Sequence, residues 1–576
     1  MNQKHLGLVG SLLAGLILAT AFASMSACNR QPVKPLAKMQ ADALLTECLQ
    51  LVEAGEYQAA LEKSQSALRI YRQLGDRHGE MTALFDIGSL YLALRQPQEA
   101  LKYTKESLAI ARELSDQKGR MNALNSVGGI YNMLGQYQEG LKYFQESLAI
   151  ARELGDRENK GVALYNIGAA YNNAKQYQDA LKYFQELLVI NRELGDRQGE
   201  GETLKNIGGA YKNLGQYQNA LEHYQEALAV KRALSDQGEE EGILNNLGQV
   251  YMAMGQYQKA LEYFQEALAI NVKLGNRQGN GEVLDSIGQV YASLGQYQDA
   301  LKYYQEALVI RRELGDQKGA GKTLGSVGAV YAYMKQYQAA LEYSQEALGI
   351  FRGLGDRWNE EQALYAIGTI YAYLGQNQEA LKYLQAALAI IPELNDLDQK
   401  GIVLNNIGEV YLSLEQYQEA LKYFEELLVI ERQLHDRQGE GGALNSVGVV
   451  YKNLGQDQEA LKYYQGALAI RRELGDRKGE GQTLNNIGNV YSDLGQHQEA
   501  LKYHQGVLAI ARELGNREIE GVSLNNIGVV YKNLGQYPEA LKYYQEALAI
   551  FRELGDRQKE EQTLNNIMEV NKNLGK

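Results

Sequence analysis

Apolar and polar residues follow a helical rhythm along the chain, and this rhythm restarts every 40 residues. In residues 196–234, a first apolar stripe contains Leu204, Ile207 and Tyr211, and a second begins at Ala220. Each stripe covers one face of a helix, so each helix has to bury that face against a neighbour. The pattern therefore predicts an all-α chain built from pairs of helices.

The ends of the predicted helices carry signals of their own. Each unit starts with Asp or Asn, as at Asp196, and most of these residues follow a glycine such as Gly195. Asp is a preferred N-cap, and glycine commonly ends the preceding helix. No insertion or deletion interrupts the 40-residue register. A fixed period of this size is typical of a solenoid, whose working surface is an extended groove.

This spacing resembles the tetratricopeptide repeat. The family's Leu-Gly-x-x-Tyr and Tyr-x-x-Ala-x-x-x-Tyr/Phe-x-x-Ala motifs are matched by Ile207-Gly208…Tyr211 and Tyr217…Ala220…Tyr224…Ala227. The usual family repeat has about 34 residues, and the longer unit resembles the form in Pins/LGN scaffolds and kinesin light chains. The resemblance implies a right-handed superhelical solenoid of antiparallel helix pairs, with a concave groove lined by the first helix of each pair, helix A.

The start of the chain resembles a bacterial lipoprotein signal. Residues 6–23 form an apolar run after Lys4, and Met25-Ser26-Ala27-Cys28 is similar to a lipobox, which usually carries Leu where this chain has Met25. The resemblance implies cleavage before Cys28 and lipidation of Cys28. An uncleaved membrane anchor and a secreted protein are the alternatives. Asn29, where an inner-membrane retention signal typically has Asp, favours the outer membrane of the bacterial cell envelope.

These signals divide the chain into four segments. Residues 1–27 are the predicted signal peptide, and residues 28–38 are the lipidated cysteine with an extended tether. Residues 39–555 hold thirteen helix pairs of 40 residues, and residues 556–576 form a polar helix that solvates the end of the array.

Two packing features are predicted from the positions that stay constant. Glycines such as Gly128 and Gly168 should face small residues such as Ala180, so that two helices approach closely. The tyrosines, 41 in all, should wedge between adjacent helix pairs.

The candidate binding residues lie on the predicted helix A, which lines the groove in the resembling family. Asparagine offers donors and acceptors, so a row of asparagines can pair with the backbone of a bound segment, while lysines would favour an acidic segment or a C-terminus. The asparagines could equally bond between adjacent helices, and the sequence leaves both interpretations open. The candidates are Asn125, Lys205, Asn245, Asn405, Asn445, Asn485, Asn525, Asn565, Lys212, Lys452 and Lys532.

Charge and motifs point away from other classes of function. The formal net charge is −13, and an acidic solenoid repels nucleic acid. Residues 319–323 look like the end of a phosphate-binding loop, but the preceding strand and the first glycine are missing. The 6 histidines lack a metal-ligand spacing such as His-x3-His. The sequence therefore predicts no enzyme, no cofactor, no metal and no small-molecule substrate.

The leading hypothesis from sequence is a lipid-anchored scaffold in the cell envelope that binds protein or peptide segments in its groove. The alternative is an architectural protein, which would act in envelope assembly through its length and self-association.

Overall fold

A computed structural model describes residues 36–575, which contain 27 helices and no strand. We number them α1 to α27. The odd-numbered helices are called A helices and the even-numbered ones B helices. The prediction of an all-α repeat array is confirmed. The helices are Leu36–Glu53, Tyr57–Leu74, Arg77–Ala93, Pro97–Glu113, Gln117–Met133, Tyr137–Leu154, Arg157–Asn173, Tyr177–Leu194, Arg197–Asn213, Tyr217–Ala233, Gln237–Ala253, Tyr257–Leu274, Arg277–Ser293, Tyr297–Glu313, Gln317–Tyr333, Tyr337–Leu354, Arg357–Tyr373, Asn377–Leu394, Leu397–Ser413, Tyr417–Leu434, Arg437–Asn453, Asp457–Glu473, Arg477–Asp493, His497–Glu513, Arg517–Asn533, Tyr537–Leu554 and Arg557–Asn573.

The described chain divides into two compact units, one up to Val290 and one from Tyr291 onward. Within α1–α12, and within α14–α27, each helix packs on the next helix in the chain. Adjacent A helices also contact each other, for example α5 with α7 in the first unit and α21 with α23 in the second. In each unit the core is therefore a series of layers shared by neighbouring pairs, as the repeat period predicts.

The predicted signal peptide and Cys28 lie outside the described residues. Helix α1 begins at Leu36, so the last three residues of the predicted tether are helical, and Lys38 Nζ among them donates to Asp76. Among residues 36–575, no helix combines the length and the apolar character needed to cross a membrane.

The turns from a B helix to the next A helix follow the predicted chemistry. After α22, Gly475 adopts a φ of 68°, the left-handed conformation that glycine takes at little cost. Its N–H donates to the Arg472 carbonyl, and Asp476 N–H donates to the Arg471 carbonyl, so that carbonyls at the helix end are satisfied. Asp476 Oδ1 then accepts from Gly479 N at 2.8 Å and caps α23. These local bonds set the boundary between successive pairs.

The constant glycines of the A helices approach the small residues of helix B as predicted, since a Cβ on Gly88 would lie 3.3 Å from the Ala100 carbonyl oxygen. In several pairs they also lie against an aromatic ring, which was not predicted. A Cβ built on Gly128 would lie 2.6 Å from the Phe144 ring, and one on Gly168 would meet Phe184 at the same distance. These glycines make room for a ring of the partner B helix. The rings are buried, with exposed fractions of 1% and 2%.

Most of the stacked tyrosines join the two helices of one pair, which was not predicted. Tyr297 stacks on Tyr333, and Tyr337 on Tyr373, between adjacent pairs at 6.1 Å, as predicted. Tyr131 of α5 stacks on Tyr143 of α6 with centroids 5.6 Å apart, and Tyr451 of α21 stacks on Tyr463 of α22 at 5.2 Å. Residues twelve apart across the A–B turn face each other near the turn that joins the two helices, so stacking there fixes how the two helices meet.

A network of arginine and glutamate side chains links successive pairs, and the sequence analysis did not predict it. Glu480 of α23 accepts from Arg472 of α22 at 2.7 Å and from Arg477 of its own helix at 2.6 Å. Arg477 also pairs with Glu513 of α24. Through Glu480 and Arg477 the network therefore ties α22, α23 and α24 together. The equivalent glutamates with two arginine partners are Glu80, Glu200, Glu360, Glu440 and Glu520.

Candidate binding groove

Three of the predicted asparagines bridge neighbouring A helices. Each accepts, through Oδ1, a hydrogen bond from Nδ2 of an asparagine on the next A helix. The side chains are half-buried between the two helices. At these three positions the structure forms the contact between helices that the sequence left open, and ligand binding by them stays a prediction. The bonds run from Asn486 to Asn445, from Asn526 to Asn485 and from Asn566 to Asn525, at 3.1–3.2 Å.

The other predicted asparagines show no single arrangement. Asn125 and Asn245 are half-buried, and Oδ1 of each is enclosed without a hydrogen-bond partner among the described residues. Asn405 is half-buried on α19, whereas Asn565 is exposed on the last helix. The row after the constant leucine thus runs along the A helices but differs in environment from pair to pair.

The predicted lysines are mostly paired with carboxylates within the protein, and their selection of an acidic segment stays a prediction. Lys452 Nζ lies 3.0 Å from Asp457 and 2.8 Å from Asp493. Lys532 lies 2.8 Å from Glu569, and Lys205 also pairs with a glutamate, Glu239. A cation that already has a carboxylate partner attracts a second anion only weakly.

Lys212 differs from these three lysines. Its Nζ donates to two neutral oxygens, Asn246 Oδ1 at 3.1 Å and Gln249 Oε1 at 2.9 Å. Burial lowers the pKa of Lys212, because a charged group loses water there without gaining a carboxylate. Of the four predicted lysines, Lys212 is therefore the one without a carboxylate partner among the described residues.

A cleft of about 450 Å³ lies along the A helices of the second unit. We call it the polar cleft. It involves α21, α23 and α25, with two side chains from the B helices beneath them. Among the sequence-predicted residues, Lys452 lines it. The lining residues are Val449, Lys452, Asn453, Tyr464, Asn486, Asn489, Ser492, Asp493, His504, Asn526 and Val529.

The two B-helix side chains reach the polar cleft because the A helices carry glycine above them. A Cβ on Gly448 would lie 2.6 Å from the Tyr464 ring, and one on Gly488 would lie 2.7 Å from the His504 ring. The missing side chains let both rings pass beneath the A helices. Both rings are almost fully buried, with exposed fractions of 2% and 1%.

The polar cleft contains a buried polar group that no atom of residues 36–575 satisfies. His504 Nδ1 is enclosed and has no hydrogen-bond partner among the described residues. Burial lowers the pKa of His504 to about 4, so the imidazole is neutral at pH 7. Buried polar atoms are nearly always paired with protein, water or ligand. The floor of the cleft therefore offers a hydrogen-bonding position to whatever enters it.

The charged groups of the polar cleft are paired at its rim. Burial acts to lower the pKa of Lys452, but its hydrogen bonds to Asp493 and Asp457 outweigh burial and raise it. Asp493 keeps a side-chain exposed fraction of 61%. The lysine is therefore charged, and one of its two carboxylate partners faces solvent.

A second open cleft, of about 540 Å³, lies in the first unit, and it is made mainly of turns. Its lining comes from the α5–α6 and α7–α8 turns and includes Gly135, Tyr137 and Lys175. None of the predicted binding residues lines it, and no enclosed unpaired polar atom is among its lining residues. We therefore take the polar cleft as the candidate site.

Comparison with known proteins identifies the repeat. The sequence profile described as "Tetratricopeptide repeat" matches most of the chain, over residues 40–113, 119–190, 161–233, 239–313, 319–393, 399–473, 440–513 and 479–553. The chain belongs to the tetratricopeptide repeat family. Tetratricopeptide repeats generally mediate protein–protein interactions, and proteins built from them are generally non-enzymatic scaffolds. No curated protein matches the chain.

Solved structures that resemble this tetratricopeptide repeat chain are distant in sequence. The crystal structure of the APC/C hetero-tetramer Cut9-Hcn1 is 14% identical, covers 92% of this chain and 96% of that chain, and gives a TM-score of 0.40. The apo form of RapI is 17% identical over 48% and 99%, with a TM-score of 0.39. BtubC from P. vanneervenii is 19% identical over 38% and 92%, with a TM-score of 0.35.

The sequence analysis missed most of the polar cleft, although one signal could have revealed it. Asn486, Asn489 and Asp493 follow one another at helical spacing on the A helix of a tetratricopeptide repeat, so they share a face. The candidate asparagines chosen from sequence, such as Asn485, lie one residue before Asn486 and its equivalents. Those that form hydrogen bonds point between neighbouring A helices. Tyr464 and His504 carry no such signal, because they belong to B helices and reach the cleft only through the glycine above each ring.

Proposed function

We propose that this tetratricopeptide repeat protein is a non-enzymatic scaffold that binds an extended segment of a partner protein along its A helices, with the polar cleft as a principal contact. The observation that carries the proposal is the enclosed and unpaired His504 beneath a row of amide side chains. Binding clefts typically combine an apolar surface with a few convergent polar groups. Here Val449 and Val529 supply the apolar surface.

The amide groups suit a backbone as a ligand. Asn489 is exposed on α23, and Asn486 and Asn526 line the cleft on consecutive A helices. A peptide backbone carries one donor and one acceptor per residue, so amides at regular spacing can pair with it irrespective of its side chains. An extended segment can follow the repeats and contact several A helices in turn.

We further propose that the scaffold is attached to the bacterial envelope through a lipid on Cys28, with the outer membrane favoured. The support is the sequence alone: an apolar run followed by Met25-Ser26-Ala27-Cys28. A lipidated cysteine with two or more acyl chains anchors a protein stably. The repeats would then be exported and would meet partners in the envelope.

Site-directed photo-crosslinking in the native cells tests the binding proposal. A photoreactive amino acid replaces Asn489, which is exposed in the polar cleft, and in a second strain it replaces Ala469, which is exposed on α22 and does not line the cleft. Mass spectrometry then identifies the captured peptides. We expect a defined segment of another protein from position 489 and no such segment from position 469.

Two results would contradict the proposal. One is the same capture from both positions, which would indicate non-specific contact. The other is self-crosslinks alone from position 489, which would favour the architectural alternative. No observation among residues 36–575 favours that alternative at present.

A further inference from the structure

Three amide side chains of the polar cleft each use one of their two N–H donors within the protein. Asn486 Nδ2 donates to Asn445 at 3.2 Å, and Asn526 Nδ2 donates to Asn485 at 3.1 Å. Asn453 Nδ2 donates to the Val449 carbonyl at 2.9 Å. Each of these three side chains therefore keeps its Oδ1 acceptor and its second N–H for a ligand.

The charges of the cleft favour a cationic ligand. Lys452 is the one cation in the lining, and it lies between Asp457 and Asp493. Two carboxylates outweigh one ammonium, and the solvent-facing Asp493 carries the excess. Beneath them, the neutral imidazole of His504 always offers one nitrogen as an acceptor. The cleft is therefore rich in acceptors and locally negative.

The apolar part of the lining helps to define which side chain the cleft would bind. Val449 and Val529 lie in the same position on α21 and α25, on either side of the amides of α23. A side chain that suits this cleft has an apolar stem and a cationic head with several donors. Arginine has this composition, because its guanidinium carries five N–H donors and no acceptor, and its methylene stem packs on apolar surface.

We propose that the polar cleft is an arginine-recognition site, which takes an arginine side chain from the bound segment of the partner. The guanidinium pairs with Asp493, and the stem packs on the apolar part of the lining. The inference rests on the proposed peptide-binding function and deepens it. It also reverses the expectation that lysines on the A helices select an acidic segment.

Peptide titration against the full chain tests this assignment. Three fluorescent nonapeptides of glycine and serine carry a central arginine, citrulline or glutamate, and fluorescence anisotropy reports their binding. Citrulline keeps the shape of arginine but lacks the charge and replaces a donor with an acceptor. We expect the arginine peptide to bind at least tenfold more tightly than either of the others, because charge-assisted bonds to Asp493 require the guanidinium.

Two variants with a matched control locate the preference. Asp493→Asn should reduce arginine binding about tenfold, whereas Asp299→Asn, the same charge change at an exposed position outside the cleft, should leave it unchanged. His504→Phe removes the acceptor and preserves packing, since Phe144 and Phe184 occupy the same position in other pairs. It should reduce arginine binding about threefold with unchanged helicity.

The inference is overturned if citrulline or glutamate binds as well as arginine, or if the arginine preference survives in both cleft variants. It is also overturned if none of the three peptides binds. The photo-crosslinking experiment decides the proposed function separately: a segment captured at position 489 that contains no arginine at its contact would leave the scaffold function in place and remove the arginine assignment.

Discussion

Single glycines determine how a ring of a B helix lies beneath its A helix. Gly128 and Gly129 are neighbours on α5, yet their surroundings differ completely. A Cβ on Gly128 would lie 2.6 Å from Phe144, while one on Gly129 would have no atom within 4 Å. The first glycine is required for packing, and the second only weakens the helix.

The two glycines should therefore respond in opposite ways to the same substitution. Gly128→Ala should destabilise its helix pair by about 1–3 kcal/mol, because the ring has to move out of a packed position. Gly129→Ala should stabilise it by about 0.5–1 kcal/mol through helix propensity. Hydrogen exchange of α5 and α6 in the full-length variants measures both changes in stability. Equal effects of the same sign would show that the contact with Phe144 has no energetic weight.

The buried His504 predicts a dependence of stability on pH. Its pKa is about 4 in the folded protein and about 6.5 when exposed, so the unfolded chain takes up the proton first as the pH falls. The stability of this region should therefore decrease between pH 6.5 and 4. His504→Phe should remove that decrease, which unfolding at several pH values would show. A parallel decrease in the wild type and the variant would rule out His504 as its source.

At the scale of the helices, the arginine–glutamate network holds successive pairs together. Glu440 of α21 accepts from Arg432 of α20 at 2.8 Å and also pairs with Arg437. The hydrogen bond from Arg432 lowers the pKa of Glu440, burial opposes this, and the bond from Arg437 adds to it. The carboxylate is thus stabilised in its charged form where two helices meet.

Removal of this charge should loosen the contact between α20 and α21. Glu440→Gln should cost about 1–2 kcal/mol at pH 7, a value reduced by the exposure of both arginines. A lowered pKa means that the stabilisation is complete above the ordinary value of 4.5 and is lost as the pH falls below it. Chemical denaturation of the wild type and the variant between pH 7 and 3 measures the difference.

Glu419→Gln is the matched control, because Glu419 is exposed at the start of α20. It should change stability little at any pH. A pH-independent difference between Glu440→Gln and the wild type would mean that packing, rather than the ion pairs, is lost in the variant.

The helix boundaries could be predicted from the sequence because they depend on local chemistry. Asp476 caps α23 by accepting a hydrogen bond from the backbone N–H three residues later. Gly475, directly before it, ends α22 with a left-handed conformation. The polar cleft depends on contacts between helices about 40 residues apart. Whether the asparagines bond between neighbouring A helices, as Asn486 does to Asn445, was one of two possibilities that the sequence left open. The ring of His504 reaches the cleft for a similarly non-local reason.

At the scale of the whole molecule, the repeats provide the proposed binding surface. The proposed lipid attachment near the start of the chain would hold this surface at a membrane. Because the lipid attachment is proposed from sequence alone, Cys28→Ala is its test. We expect the variant to lose incorporation of radiolabelled palmitate in cells and to leave the membrane fraction. Cys48→Ala is the control, since Cys48 is buried in the first helix pair. Unchanged labelling of Cys28→Ala would exclude lipidation at this residue.

The affinity of a captured segment for cleft-blocked protein tests the central claim most directly. Asn489→Trp places a large side chain in the polar cleft, and Ala469→Trp places the same side chain on an exposed part of α22 outside it. The segment captured by crosslinking is synthesised and titrated against both variants and the unchanged chain. The account predicts at least a tenfold loss of affinity for Asn489→Trp and none for Ala469→Trp. Equal affinity for all three proteins would show that the A-helix cleft is not where the partner binds.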